Sequence, residues 1–248
     1  MVCIGILTMP NKHGSQHIFK TYVDWCQNNN VNVVPIPYDT KEHEKYFKMV
    51  NGLLIPGGVN GDTTLLKNKI YLNCVRTFVL LSLPDYFPIW GTCFGFQLLV
   101  CFIGGCKKLN MHHANGMYPI KTFESRMFTH FTSRNIHRLE HSKSTYHNHT
   151  FGVSFDNFKN VHIRRFYNIS ATAIDDNNKE YVAAIEAKYY PIYGTQFHPE
   201  RYDSGPFIDF FISELKKNKH ICKNGPIHDY KYINKCIHEN KKDDCYFF

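Results

Sequence analysis

At 248 residues, with 43% hydrophobic and 20% charged residues, the chain is long enough to bury a large core and too apolar to remain disordered. No run of eighteen apolar residues occurs, so no helical membrane span is expected. The formal net charge of +8 is spread along the chain, densest at Lys216-Lys217 and Lys241-Lys242; it reads as a solvated basic surface, and neither nucleic acid nor a membrane is expected as a partner.

The chain opens on the apolar run Val2 to Leu7, a strand. A helix is expected over residues 16–28, where Ile18, Tyr22 and Trp25-Cys26 recur at helical spacing. A second strand follows at 31–37. Thr40, ahead of Lys-Glu-His-Glu, predicts a capped helix over 40–49. Residues 52–55 form a third strand ending at Pro56-Gly57-Gly58, and 65–83 read as a helix. Pro88 to Thr92 is again a buried strand, and the helix after it runs to Gly104-Gly105.

Alternation of short apolar strands with helices predicts an α/β fold, a three-layer sandwich around a mainly parallel central sheet. From 107 to 151 the pattern loosens into a histidine-rich stretch, read as an insertion of antiparallel strands with one short helix near 134–141, roofing the site. Residues 166–173 and 180–186 alternate like a hairpin around Asp175-Asp176-Asn177-Asn178, and 206–217 make an amphipathic helix. The expected organisation is one domain over 1–217 and a basic, non-periodic tail over 218–248.

The chemistry concentrates in two places. In Gly91-Thr92-Cys93-Phe94-Gly95-Phe96-Gln97 a cysteine sits on a strand-to-helix turn with glycines on both sides. Such a turn exposes the sulfur, and the positive end of the following helix favours the thiolate. The backbone N–H of Phe94, next after the nucleophile, suits an oxyanion. Far downstream stands Gln196-Phe197-His198-Pro199-Glu200. In extended chain, residues two apart share a side, so Glu200 can orient His198 as the base serving Cys93. Buried cysteines are common in cores, but here the flanking glycines and the matching histidine and glutamate point to catalysis.

Nine cysteines, an odd number without zinc-ribbon spacing, read as mostly free thiols. His112-His113 and His147-Asn148-His149 lack a cysteine or carboxylate at ligand spacing. No metal and no cofactor are expected. Asn148-His149-Thr150 and Asn168-Ile169-Ser170 match glycosylation sequons. Arg126, in Ser125-Arg126-Met127-Phe128, lies between apolar residues, placed either to bind a carboxylate bidentately or to brace the insertion.

Taken together, the cysteine turn, Gln-Phe-His-Pro-Glu, Asn51 to Gly58, Ser125 to Phe128, Tyr146-His147 and the closing Cys245-Tyr246-Phe247-Phe248 make the chain resemble the γ-glutamyl hydrolases of the class I glutamine amidotransferase-like superfamily. The resemblance implies a thiol hydrolase that cleaves the γ-glutamyl bonds of poly-γ-glutamates, folylpolyglutamates above all. It implies Cys93, His198 and Glu200 as the catalytic triad and the backbone of Gly58 as a second oxyanion donor beside Phe94. It also implies substrate contacts at His147, Gln97 and Gln196, with Arg126 as a further candidate, and a homodimer.

Gln97 departs from the glutamate typical of animal relatives and matches the amidotransferases. That keeps two alternatives in view: a glutaminase domain feeding a partner synthetase, or a silent binding module of the same fold. The strand pattern begins at once after Met1 without a leader pattern, so a cytoplasmic location is expected, with secretion or a lysosomal location the alternative where a leader has been removed.

Overall fold

The computed structural model describes residues 2–10, 15–58, 64–202 and 205–220, and the backbone of 231–238 and 241–247. Two compact units are formed, Met1–Ile89 with Ile212–Phe248, and Trp90–Phe211.

The first unit runs β1 (Val2–Leu7), β2 (Met9–Pro10), β3 (Gln16–Phe19), α1 (Lys20–Gln27), β4 (Val31–Ile36), α2 (His43–Met49), β5 (Leu53–Ile55), a 3-10 turn (Thr64–Lys67) and α3 (Lys69–Ser82). Strand β1 is central, pairing in parallel with β4 from Val2↔Val31 to Leu7↔Ile36, and in parallel with β5. Ile4, Ile6, Val33, Leu53, Leu54 and Ile55 are fully buried, the two-sided burial that makes parallel strands read as unbroken apolar runs.

Three sequence expectations need correction here. Residues 16–19 are strand, not the start of a helix, because they pair with β2; helix begins only at Lys20. Thr40 does not cap α2: its hydroxyl accepts from the Glu42 N–H at 3.0 Å, stabilising a turn before the helix, whose N-cap position is Glu42. The long helix over 65–83 is divided at Asn68, whose side chain accepts from the N–H groups of Ile70 and Tyr71 at 3.1 and 3.0 Å and so starts α3 afresh.

The second unit contains β6 (Ile89–Thr92), α4 (Phe94–Gly104), β7 (Leu109–Tyr118), β8 (Lys121–Thr122), α5 (Arg126–Thr129), α6 (Ser133–His141), β9 (Thr145–Val153), α7 (Phe155–Phe158), α8 (Val161–Phe166), β10 (Tyr167–Ile174), β11 (Glu180–Ala187), β12 (Ile192–Thr195) and α9 (Gly205–Leu215). Strand order is β6-β12-β11-β10-β8, with β12-β11, β11-β10 and β10-β8 antiparallel. The expected hairpin is β10-β11, its turn closed by Asp175 Oδ1 accepting from Asn177 and Lys179 N–H groups at 2.9 Å each. Trp90 is fully buried against the rings of Tyr193, Phe207 and Phe211.

The stretch read as an insertion holds a separate antiparallel ribbon, β7-β9, with α5 and α6 between its strands; Thr132 caps α6 through the Asn135 N–H at 3.2 Å.

The tail departs from expectation. Residues 231–247 form β13 (Lys231–His238) and β14 (Lys241–Phe247), and a four-stranded sheet runs β13-β14-β3-β2 within the first unit. Cys245 pairs with Phe19 and Phe247 with His17, partners more than 200 residues away. Local periodicity carries no trace of such a pairing. Among the described residues Cys26, Cys74, Cys93, Cys101 and Cys106 are free thiols, while Cys3 is disulfide-bonded.

Candidate active site

Cys93 lies between β6 and α4 with φ 51° and ψ −101°. A non-glycine residue at positive φ costs on the order of 1–3 kcal/mol and persists only where its surroundings over-determine it. Here the Cys93 N–H donates to the Thr195 carbonyl at 2.7 Å, and the Cys93 carbonyl accepts the first helical bond, from Gln97 N–H at 3.0 Å. Room for the turn comes from Gly91: a Cβ there would stand 2.7 Å from the carbonyl carbon of Gly95. The sulfur is thus held at the N-terminus of an eleven-residue helix, whose dipole favours negative charge.

His198 and Glu200 follow β12 directly, and their side chains meet as the sequence spacing predicts. Nδ1 of His198 lies 2.7 Å from Oε1 of Glu200, and both residues are buried. The His198 N–H donates to the Tyr146 carbonyl at 2.8 Å, which ties the base to β9. Burial opposes charge on the ring, but the Glu200 carboxylate and the adjacent Cys93 sulfur outweigh it and hold the imidazolium up to about 10. Cys93, His198 and Glu200 therefore form one connected group, with the sulfur and the imidazole in direct electrostatic contact.

The remaining contacts of the sulfur come from side chains and carbonyls around it. Gln196 Nε2 donates toward Sγ at 3.7 Å, and the thiol points to the Asn148 carbonyl at 3.9 Å. Gln97 Nε2 donates to the Phe151 carbonyl at 2.7 Å and to Gln196 Oε1 at 3.3 Å. Both glutamines are buried, Gln196 completely. They face each other and the ribbon.

Two further candidates are drawn elsewhere. His147 is fully buried, with Nδ1 2.6 Å from the Tyr181 hydroxyl and Nε2 2.8 Å from Thr145 Oγ1. Burial, with His149 and His198 nearby, pushes its pKa far down, so the ring is neutral and committed to packing the ribbon. Alternation along β9 turns this side chain, expected as a substrate contact, inward. Arg126 braces structure: its guanidinium donates to the carbonyls of Ala187 and Tyr190, lies 5.2 Å above the Tyr193 ring and stands 3.7 Å from Glu186. Glu186 in turn accepts from the N–H groups of Arg126 and Met127 at 3.1 and 3.2 Å, capping α5. Phe94 is the first residue of α4, as expected. Gly58 follows β5 in the first unit, where the neighbouring Gly57 N–H donates to the Tyr22 hydroxyl at 2.7 Å.

What sequence reasoning missed is the main chain of β9. Tyr146, Asn148 and Phe151 offer carbonyls to His198, Cys93 and Gln97 respectively. A carbonyl is present whatever the side chain, so no residue-type signal announces it. Among the described residues no cluster of three or more metal-ligating side chains occurs.

Comparison with known proteins identifies the family. The family model "Glutamine amidotransferase class-I" matches residues 17–213. The γ-glutamyl hydrolase of Bos taurus is 33% identical over 88% of this chain and 78% of its own length. That of Homo sapiens is 30% identical over 86% and 75%. γ-Glutamyl hydrolase B of Dictyostelium discoideum is 32% identical over 88% and 73%. Among solved structures, a putative GMP synthase component from Thermoplasma acidophilum superposes with a TM-score of 0.62 over 88% of this chain and 95% of that one, at 17% identity. The glutaminase domain of Trypanosoma brucei CTPS with bound acivicin gives 0.61 over 90% and 97%, also at 17% identity. At that identity the superpositions establish the fold, that of the class I glutamine amidotransferase domains, with a mixed sheet and helices. The chain therefore belongs to the class I glutamine amidotransferase family and, within it, to the γ-glutamyl hydrolases.

Proposed function

We propose that the protein hydrolyses the γ-glutamyl amide bonds of poly-γ-glutamates, folylpolyglutamates being the expected substrates, through a thioester on Cys93. The observation that carries this reading is the strained cysteine on its elbow, in contact with a histidine whose Nδ1 is held 2.7 Å from a buried glutamate. The thiolate attacks the γ-carbonyl carbon, the C–S bond forms, and the Phe94 N–H receives the charge developing on oxygen. His198, protonated at rest, gives its proton to the leaving amine as the C–N bond breaks. The neutral imidazole then takes a proton from water, whose oxygen attacks the thioester; the C–S bond breaks, the thiolate is restored beside the imidazolium, and the γ-carboxylic acid formed loses its proton to solvent. Glu200 keeps the ring aimed and supports its charge.

The alternative of a partner-dependent glutaminase rests on Gln97, but that side chain is spent on Phe151 and Gln196. Its identity therefore reports internal bonding more than choice of substrate.

The test is product analysis of a pteroyl-polyglutamate incubated with the wild type and with Cys93→Ala. Shortening by the wild type alone is expected, and the ladder of products separates endo from exo cleavage. A wild type that leaves the chain intact but releases ammonia from glutamine in the presence of a synthetase would overturn the hydrolase reading.

A further inference from the structure

The two buried glutamines form a directed relay. Phe151 offers Gln97 a backbone carbonyl, which only accepts, so the Gln97 amide must present its NH2 there, at 2.7 Å. The second hydrogen of that NH2 points to Gln196, at 3.3 Å, so Gln196 must answer with its oxygen. The NH2 of Gln196 is then left facing Cys93 Sγ at 3.7 Å. The backbone of Gln196 is fixed as well, its N–H donating to the Ala183 carbonyl at 2.8 Å. One carbonyl of β9 thereby decides, through two amides, which end of Gln196 the sulfur meets.

We propose that Gln196 is the side-chain donor that stabilises the Cys93 thiolate, and that Gln97 is a positioning residue that keeps the donating end of Gln196 turned to the sulfur. This rests on Cys93 being the nucleophile and deepens that reading by giving both glutamines a role other than substrate contact. A thiolate accepts and cannot donate, so an amide NH2 favours it, whereas the Asn148 carbonyl at 3.9 Å favours the protonated thiol. The other groups acting on the sulfur are the N-terminus of α4 and the imidazole of His198 backed by Glu200, while the Tyr181 hydroxyl, which burial keeps protonated, is bonded to His147. Of these, only the relay changes character when a single amide is reversed.

The experiment is the pH dependence of Cys93 alkylation by iodoacetamide in the full-length protein, followed on the Cys93 peptide by mass so that the other thiols do not interfere. It needs no polyglutamate, so the proposal can fail while hydrolysis stands, and it can stand where hydrolysis fails. Gln196→Glu replaces the donor with a second negative charge. The acid limb of the profile is expected to move up by about one pH unit or more, with alkylation at pH 7 slowed about tenfold. Gln196→Met removes the donor without adding charge, and an upward shift of about half that size is expected. Gln97→Leu leaves Gln196 free to turn, and a still smaller shift in the same direction is expected. Folded Gln196→Met and Gln97→Leu proteins with the wild-type profile would overturn the proposal, as would variants slowed equally at every pH, which is the signature of a purely structural role.

Discussion

At Cys93 the backbone turns through φ 51°, Gly91 clears the space, and the side chain itself is the proposed nucleophile. Along β9 the site is served by three carbonyl oxygens, of Tyr146, Asn148 and Phe151, on an extended ribbon strand whose inward residues include His147 and His149. The elbow depends on residue identity at nearly every position, because strain and close approach tolerate few side chains. The ribbon depends on where its backbone lies, and side chains matter only through what holds it there. The two regions should therefore fail differently when mutated.

The largest effect is expected where the elbow's partner loses its charge. Glu200→Gln preserves shape but removes the carboxylate that orients His198 and supports its proton. Loss of an orienting carboxylate in such a triad lowers kcat by about 10²–10⁴, and a fall of that order is expected here in steady-state hydrolysis. The pH dependence of stability changes too. The folded pKa of His198 is raised to about 10, so its contribution is fully present below about 6.5 and is lost as pH rises from there toward 10. In Glu200→Gln, urea unfolding between pH 6 and 10 should lose most of this alkaline decline. An unchanged slope would show that Glu200 does not carry the imidazolium.

Gly91→Ala attacks the elbow through space. The new Cβ would stand 2.7 Å from a backbone carbon of Gly95, an atom that cannot swing aside. Destabilisation of about 2–3 kcal/mol is expected, with activity falling alongside. On the ribbon, Phe151→Leu keeps the carbonyl that Gln97 uses, and kcat within about threefold of wild type is expected. If Phe151→Leu proves as damaging as Gly91→Ala, the division between identity and position is wrong.

The same division explains what can be read from the sequence. Cys93, His198 and Glu200 are legible because the proposed chemistry calls for those residue types and the glycines mark the turn. The β10-β11 hairpin and α6 are legible from alternation and local capping. Strand β3 reads as helix because Ile18 and Tyr22 mimic helical spacing, and its pairing with Met9 and Pro10 leaves no local periodic trace. The β14 strand is invisible for the same reason at greater distance. The burial of His147 is not legible in its motif, since alternation along β9 sends its ring to Tyr181. The roles of Gln97 and Gln196 depend on a main-chain oxygen, which sequence never displays.

The smallest expected effect is the most selective for the ribbon. His149 is buried beneath β9, its ring 5.1 Å from that of Tyr181 and 5.8 Å from that of His147, and neither nitrogen meets a hydrogen-bond partner of acceptable geometry among the described residues. Burial lowers its pKa to about 3; the backbone of His112 works against that shift, while His198 and His112 add to it. A base with a depressed folded pKa contributes stability that is complete above about 6.5 and declines as pH falls from there toward 3, since only the unfolded chain takes up the proton in that window. His198 has the opposite sign and window, so the two titrations separate cleanly. His149→Phe fills nearly the same space with a ring that cannot be protonated. Its acid-unfolding midpoint should fall by about half a pH unit, while unfolding above pH 7 stays close to wild type and the alkaline decline from His198 is untouched. Acid sensitivity of this kind should also appear in the wild type as loss of the ribbon's contacts, Asn148 with Cys93 and Tyr146 with His198, before the elbow itself gives way. Hydrogen exchange at pH 4.5 should then show the His198 amide opening earlier than the Cys93 amide, which is bound to Thr195 and not to the ribbon.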